Sequence, residues 1–283
     1  MLIGLLAALA GAVVFGVAAI AQAVAARTLP IGGLSPALVL GLLRQPVFIA
    51  AVVLNLVGFV LHLVALRLLP LFLAQAGISA SLAVTALLAV WYFGDRLGTL
   101  ERAAIGAVCV GLAVLSAAAG EAGTAESNAP MTAALFIGAG VTATLGLLAG
   151  RRPGTPAAFA LGFLAGLGFA GSSIATRLVP DLSVWGVLST PASYALPICG
   201  VLAFFLYSLG LQRGAVTAVT TPMIVMQTLT PAVVGVLVLG DGVRQSWLPA
   251  AVLGLLVTGG GAVVLGRFDD VREGPEQEQA SRT

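Results

Sequence analysis

Hydroxyls and amides, more than charged groups, supply the chemistry available inside the apolar stretches of this chain. In the run 215–239, Thr217, Thr220, Thr221, Gln227 and Thr228 fall on one face at about 100° per residue, flanked by Ile224 and Pro231. A shift of 146 residues carries that face onto Gln75, Ser81 and Thr85 in the run 69–93. Two such faces would line a path for a polar substrate. The same residue types also hydrogen-bond across packed helices in membranes, so a purely structural role stays open. Asn55 and His62, with Gly58 between them, share a face of the run 46–66. His62 is the one histidine and the only group within the apolar runs that titrates near neutrality. A lone histidine in a helix bundle is more often a packed, hydrogen-bonded residue than a proton carrier.

The acidic residues tell against several kinds of chemistry. All eleven lie at the ends of apolar runs, between them or in the C-terminal tail, and none is central to a run. Intramembrane carboxylates are the usual proton relays and cation sites, so a central-carboxylate antiporter is not expected. Magnesium, which favours carboxylate oxygens and sheds its water reluctantly, is disfavoured on the same ground. Two cysteines (Cys109 and Cys199) and one histidine are too few for a zinc or redox set. No convergent nucleophile, base and oxyanion donor is present, so neither an enzyme nor a bound cofactor is expected.

The elements that must position these residues follow from composition. The chain has 59% hydrophobic and 8% charged residues, against about 25% charged in a soluble domain. Its mean hydropathy is +1.10. Too little polar surface exists to face water all round, which predicts an all-α integral membrane protein with lipid as its solvent. A net charge of +2 gives no reason to expect a nucleic-acid partner. Nine runs are long enough to cross: 3–26, 46–66, 69–93, 102–119, 131–149, 156–176, 192–211, 215–239 and 247–266. The apolar segment 34–43 is short and reads as a connecting loop or half-helix; if it spans, the number becomes ten. The N-terminus is apolar at once, without the basic region of a signal peptide, and is expected to remain as a helix. The tail from Arg267 to Thr283 is polar and predicted disordered.

The chain repeats itself. Arg67 precedes a long apolar run ending in Gly94-Asp95, and Arg213 precedes one ending in Gly240-Asp241, at a constant offset of 146. Leu9-Ala-Gly11 with Gly16 likewise resembles Leu164-Ala-Gly166 with Gly171, at an offset of 155. The expected organisation is a first repeat over 1–119, a linking segment with one extra helix over 120–154, a second repeat over 155–266 and the tail over 267–283. The single extra helix makes the second repeat enter from the opposite side, and inverted repeats build many secondary transporters. With nine spans, ten arginines fall on one face, among them Arg27, Arg151, Arg152 and Arg213, against Arg67, Arg177 and Arg244 on the other. The arginine-rich face is expected in the cytoplasm, with the C-terminus inside and the N-terminus outside. All thirteen basic residues are arginine; with so much Ala, Gly, Val and Leu this points to a GC-rich bacterial genome, hence a bacterial inner membrane.

Ala65-Leu-Arg67-Leu-Leu-Pro70, a long helix, then Tyr92-Phe-Gly-Asp-Arg-Leu97, is answered in the second half by Gly210-Leu-Gln-Arg213 and Leu239-Gly-Asp-Gly-Val243. These motifs resemble the EamA-like repeats of the drug/metabolite transporter superfamily. Both halves carry Asp where that family usually has Glu, and the second lacks the Arg-Leu. Nine spans resemble its NIPA-type magnesium-transporter branch. The resemblance implies a secondary transporter working by alternating access; the neutral path and the strongly apolar bundle favour a small polar metabolite or an amphipathic, lipid-linked molecule as its cargo. A NIPA-like divalent-cation transporter and a non-transporting membrane subunit of a larger complex or homodimer are the alternatives. Under inversion, Arg67 would meet Asp241 on one face and Arg213 would meet Asp95 on the other, each pair a gate between the halves.

Overall fold

Helices dominate because proline and glycine punctuate apolar runs that have no other way to satisfy their backbone in lipid. The computed structural model describes residues 2–29, 36–68, 71–94, 98–118, 120, 128–179, 183–261 and 264; the side chains at 36, 37, 63, 66, 67, 71–79, 116 and 184 lie outside the description. So do the linker 121–127 and the tail 267–283. In chain order the elements are α1 (Leu2–Arg27), α2 (Pro36–Leu43), α3 (Pro46–Leu68), α4 (Leu71–Phe93), α5 (Thr99–Ala118), α6 (Ala129–Ala149), α7 (Thr155–Arg177), α8 (Val184–Ser189), α9 (Pro191–Leu211) and α10 (Val216–Leu237). A last helix, α11, covers Leu248–Gly261. Pro191 opens α9, and Pro130 and Pro156 lie in the first turns of α6 and α7, where no amide partner is lost. Asn128 caps α6 by accepting from the Met131 amide. Gly94 and Gly240, at φ +70° and +74°, follow α4 and α10 in the left-handed conformation that suits glycine.

Among the described residues five helices, α1, α6, α7, α9 and α10, are long and apolar enough to cross a membrane. Further apolar helical stretches cover Pro46–His62, Ala80–Phe93 and Leu248–Gly261. At eight residues, α2 rises only about 12 Å and cannot cross. Side-chain size is arranged for lipid. Leu56, Phe59, Ile137, Val201 and Leu256 point outward, while Ala18, Ala23, Ala26, Ala158, Ala165 and Ala203 fill the interior. Small interior residues let apolar helices approach closely where lipid removes the usual hydrophobic drive. The chain is thus an all-α protein built for a membrane.

α1 packs chiefly against α3 and α4, and α7 against α9 and α10. α4 and α10 also meet, as do α1 and α9, and α6 lies outside against α7 and α9. The glycines show which faces touch. Gly11 faces α3 at Gly58 and Leu61, whereas Gly166 faces α10 at Met223 and Met226. Gly16 faces α4 at Val84, whereas Gly171 faces α9 at Cys199. The 155-residue likeness of the two glycine motifs therefore joins positions with different neighbours. Composition explains it, since small residues recur wherever two helices press together.

Arginines mark the two ends of the bundle. At one end, Arg27 Nε donates to the Leu211 carbonyl at 3.1 Å and Nη2 to that of Gly214 at 2.9 Å. Its guanidinium also lies 4.2 Å from the Phe93 ring centre. Arg213 donates to the carbonyls of Arg152 at 2.7 Å and Gly150 at 2.8 Å. At the opposite end Arg177 joins Asp241. There too the Gly120 amide donates to the Gly242 carbonyl and the Arg244 amide to that of Ala118, both at 2.9 Å. Arg27, Arg152 and Arg213 thus collect at one end, and Arg177 and Arg244 at the other.

Candidate functional site

α10 carries its polar stripe on a helix interrupted by Pro222 and Pro231. Lacking an amide hydrogen, these prolines withhold a helical donor from the carbonyls of Ala218 and Gln227. Thr217, Thr220 and Thr221 are buried, and Gln227 and Thr228 half-buried. Thr221 Oγ1 donates to the Thr217 carbonyl at 2.7 Å, and Thr228 to that of Ile224 at 2.9 Å. On α4, Ser81 and Thr85 are buried, and Thr85 donates to the Ser81 carbonyl at 2.8 Å. These three threonines satisfy their donors within their own helices, each keeping an oxygen able to accept from elsewhere. The side chain of Gln75 lies outside the described residues.

Thr220 behaves differently. Its hydroxyl is 2.6 Å from that of Tyr207, so the two share a hydrogen bond that clamps α9 to α10. Here the hydroxyl takes the cross-helix role that such groups play in membrane bundles. Asn55 donates back to the Ala51 carbonyl at 2.9 Å, within α3. His62 is half-buried on the same helix, where α3 passes Gly11 of α1.

The charged residues expected to pair across the halves make their described bonds within the second half and to the linking segment. Arg177 grips Asp241 with both terminal nitrogens, Nη2 donating to Oδ1 at 2.6 Å. Gly235 makes this possible, because a Cβ there would strike the Asp241 carboxylate. Arg213 instead closes the turn between α6 and α7; partial burial lowers its pKa from the ordinary guanidinium value. The Arg67 side chain and Asp95 lie outside the described residues, so neither expected gate pair is among the described contacts. In the sequence Arg177 is one more charge at the end of an apolar run, and nothing there marks it as the partner of Asp241.

Also missed was a buried polar bridge between α1 and α9. Gln22, 1% exposed, donates to the Ser208 hydroxyl at 2.7 Å and to the Phe204 carbonyl at 3.1 Å. Gln212 answers by donating to the Ala26 carbonyl at 2.8 Å. The available signal was Gln22 itself, the one amide in the 26 residues of α1. A polar side chain retained among so many alanines needs a partner.

A cleft of about 350 Å³ opens elsewhere, between the end of α7, α8 and the start of α9, with Val187, Leu188, Tyr194 and Pro197 in its wall. None of the expected path residues lines it. Among the described residues no cluster of His, Cys, Asp and Glu could hold a metal ion. Comparison of the chain with known protein families, with characterised proteins and with solved structures finds no match. Its class rests on its own architecture, an all-α protein with membrane-crossing helices.

Proposed function

We propose that the chain is a secondary transporter of a bacterial inner membrane, moving a small polar or amphipathic, lipid-linked molecule by alternating access between two inverted repeats of nine spans in all. The reading rests on one correspondence. Taken with the contacts at the two bundle ends, α1, α3 and α4 run opposite to α7, α9 and α10. Both leading helices end on arginine, Arg27 and Arg177. A short helix follows each, α2 and α8, and Pro46 and Pro191 then open α3 and α9. Gly94 and Gly240 close α4 and α10 in the same left-handed conformation. α6 is the extra helix that reverses the second set, and the resemblance to the drug/metabolite transporter superfamily fits this plan. Ser81, Thr85, Thr217 and Thr221, on the paired helices α4 and α10, are the proposed path, with the arginine-rich end in the cytoplasm.

A divalent cation is the second reading. It is favoured by the carbonyls that Pro222 and Pro231 release in α10, which offer oxygen ligands without a carboxylate. The test is ligand-dependent thermal stabilisation of the purified protein across polar metabolites, lipid-linked compounds and Mg²⁺, followed by uptake into proteoliposomes. A stabilising metabolite or lipid that is taken up supports the first reading, and Mg²⁺ uptake alone supports the second. Stabilisation by none, with no flux, makes the chain a non-transporting subunit.

A further inference from the structure

The two ends of the bundle are closed unequally. At the Arg27 end, α1 is bolted to α9 and the following turn by the bonds of Gln22, Arg27 and Gln212 already described. These bonds cross from the first half to the second, and Ser208 is wholly buried beneath them. The corresponding helices at the other end are α7 and α3. The offset that matches Arg27 to Arg177 matches Gln22 to Ser172, and the 146-residue offset brings Ser208 onto His62. Among the described residues α7 and α3 form no packed interface comparable to that of α1 with α9. Ser172 donates instead to the Leu196 carbonyl at 3.0 Å and Ser173 to that of Phe169 at 3.1 Å, while Ser173 and Thr176 stand exposed. Arg177, the counterpart of Arg27, is held by Asp241.

We propose that Gln22 and Arg27 form a latch that keeps the Arg27 end shut, and that Ser172 and Arg177 are its counterpart, which closes against the His62 segment of α3 when the first latch opens. The proposal rests on the inverted-repeat transporter reading and adds to it the parts that exchange. Equivalent positions in two inverted halves cannot both be closed if a site is to face one side at a time. The polar groups on α7 are satisfied locally in the open arrangement, so closing one latch while opening the other trades hydrogen bonds rather than losing them. Asp241 acts as the parking place for Arg177.

The exchange is testable without knowing the cargo. In a Cys109→Ala/Cys199→Ala background, a protease site between α5 and α6 allows cross-links between the halves to be read by gel mobility. Gln22→Cys/Ser208→Cys is expected to cross-link rapidly in lipid nanodiscs under mild oxidation, and His62→Cys/Ser172→Cys slowly. Adding Gln22→Ala or Ser208→Ala to the second pair removes a latch bond and should raise its cross-linking rate about two- to tenfold. Either latch variant suffices, so aggregation of one leaves the other to decide. Failure of the second pair to cross-link in any background, or a rate indifferent to both latch variants, overturns the proposal. An accelerated second pair with no flux of any solute removes transport and leaves the two-state latch. Flux together with an inert second pair removes the latch alone.

Discussion

Tyr207 and Thr220 illustrate what a single polar contact does in this bundle. Their shared hydrogen bond is fully buried, so removing one partner leaves the other without its mate. Tyr207→Phe and Thr220→Val should each lower stability by about 1 kcal/mol, with the double variant less destabilised than the sum. Thermal unfolding in detergent measures this, and strict additivity would show the hydroxyls to be independent. Gly235 offers a sharper case, because its missing Cβ makes room for the Asp241 carboxylate. Gly235→Ala should lower the unfolding temperature in the parent protein and much less in an Asp241→Ala background. Equal losses in both would mean that the clash lies with something other than the carboxylate. The pair itself is partly exposed, which limits its own worth to about 0–1 kcal/mol.

The helices owe their closeness to glycines used unevenly. A Cβ at Gly162 would be driven into the Val219 carbonyl where α7 crosses α10, whereas Gly138 on α6 faces open space. Gly162→Ala should therefore cost about 1–3 kcal/mol. Gly138→Ala should be neutral or stabilising by up to about 1 kcal/mol, since alanine is the better helix former. Matching effects in thermal unfolding would place α7 and α10 further apart than described. Much of this layer was legible in the sequence. Long apolar runs fixed the helices, Gly94 and Gly240 showed where two of them stop, and arginine placement sorted the ends. Facing directions were not legible: Gly11 and Gly166 have the same sequence neighbourhood and touch different helices. Thr220 looked like its neighbours in the α10 stripe, and only the approach of Tyr207 sets it apart. Gln22 was hidden for the same reason, its meaning lying in Ser208, far along the chain. Periodicity reports which residues share a face, and packing decides what that face meets.

For the whole molecule, the arginine distribution predicts a definite orientation. Arg152 is exposed at the Arg27 end and Gln245 at the other. Expressed in bacteria, Gln245→Cys should react with a membrane-impermeant maleimide on intact cells, and Arg152→Cys only after the cells are broken. The reverse pattern would invert the orientation assigned to both latches. The backbone bonds from Gly120 to Gly242 and from Arg244 to Ala118 carry a consequence for biogenesis. The end of α5 leaves the ribosome about 120 residues before the segment that pairs with it. During synthesis those groups must wait, solvated at the membrane surface or held by other helices, until the chain beyond α10 arrives. A nascent chain halted before that point would have its first helices inserted and one corner unsealed, so a quality-control protease would find the end of α5 exposed in unfinished copies and covered in finished ones.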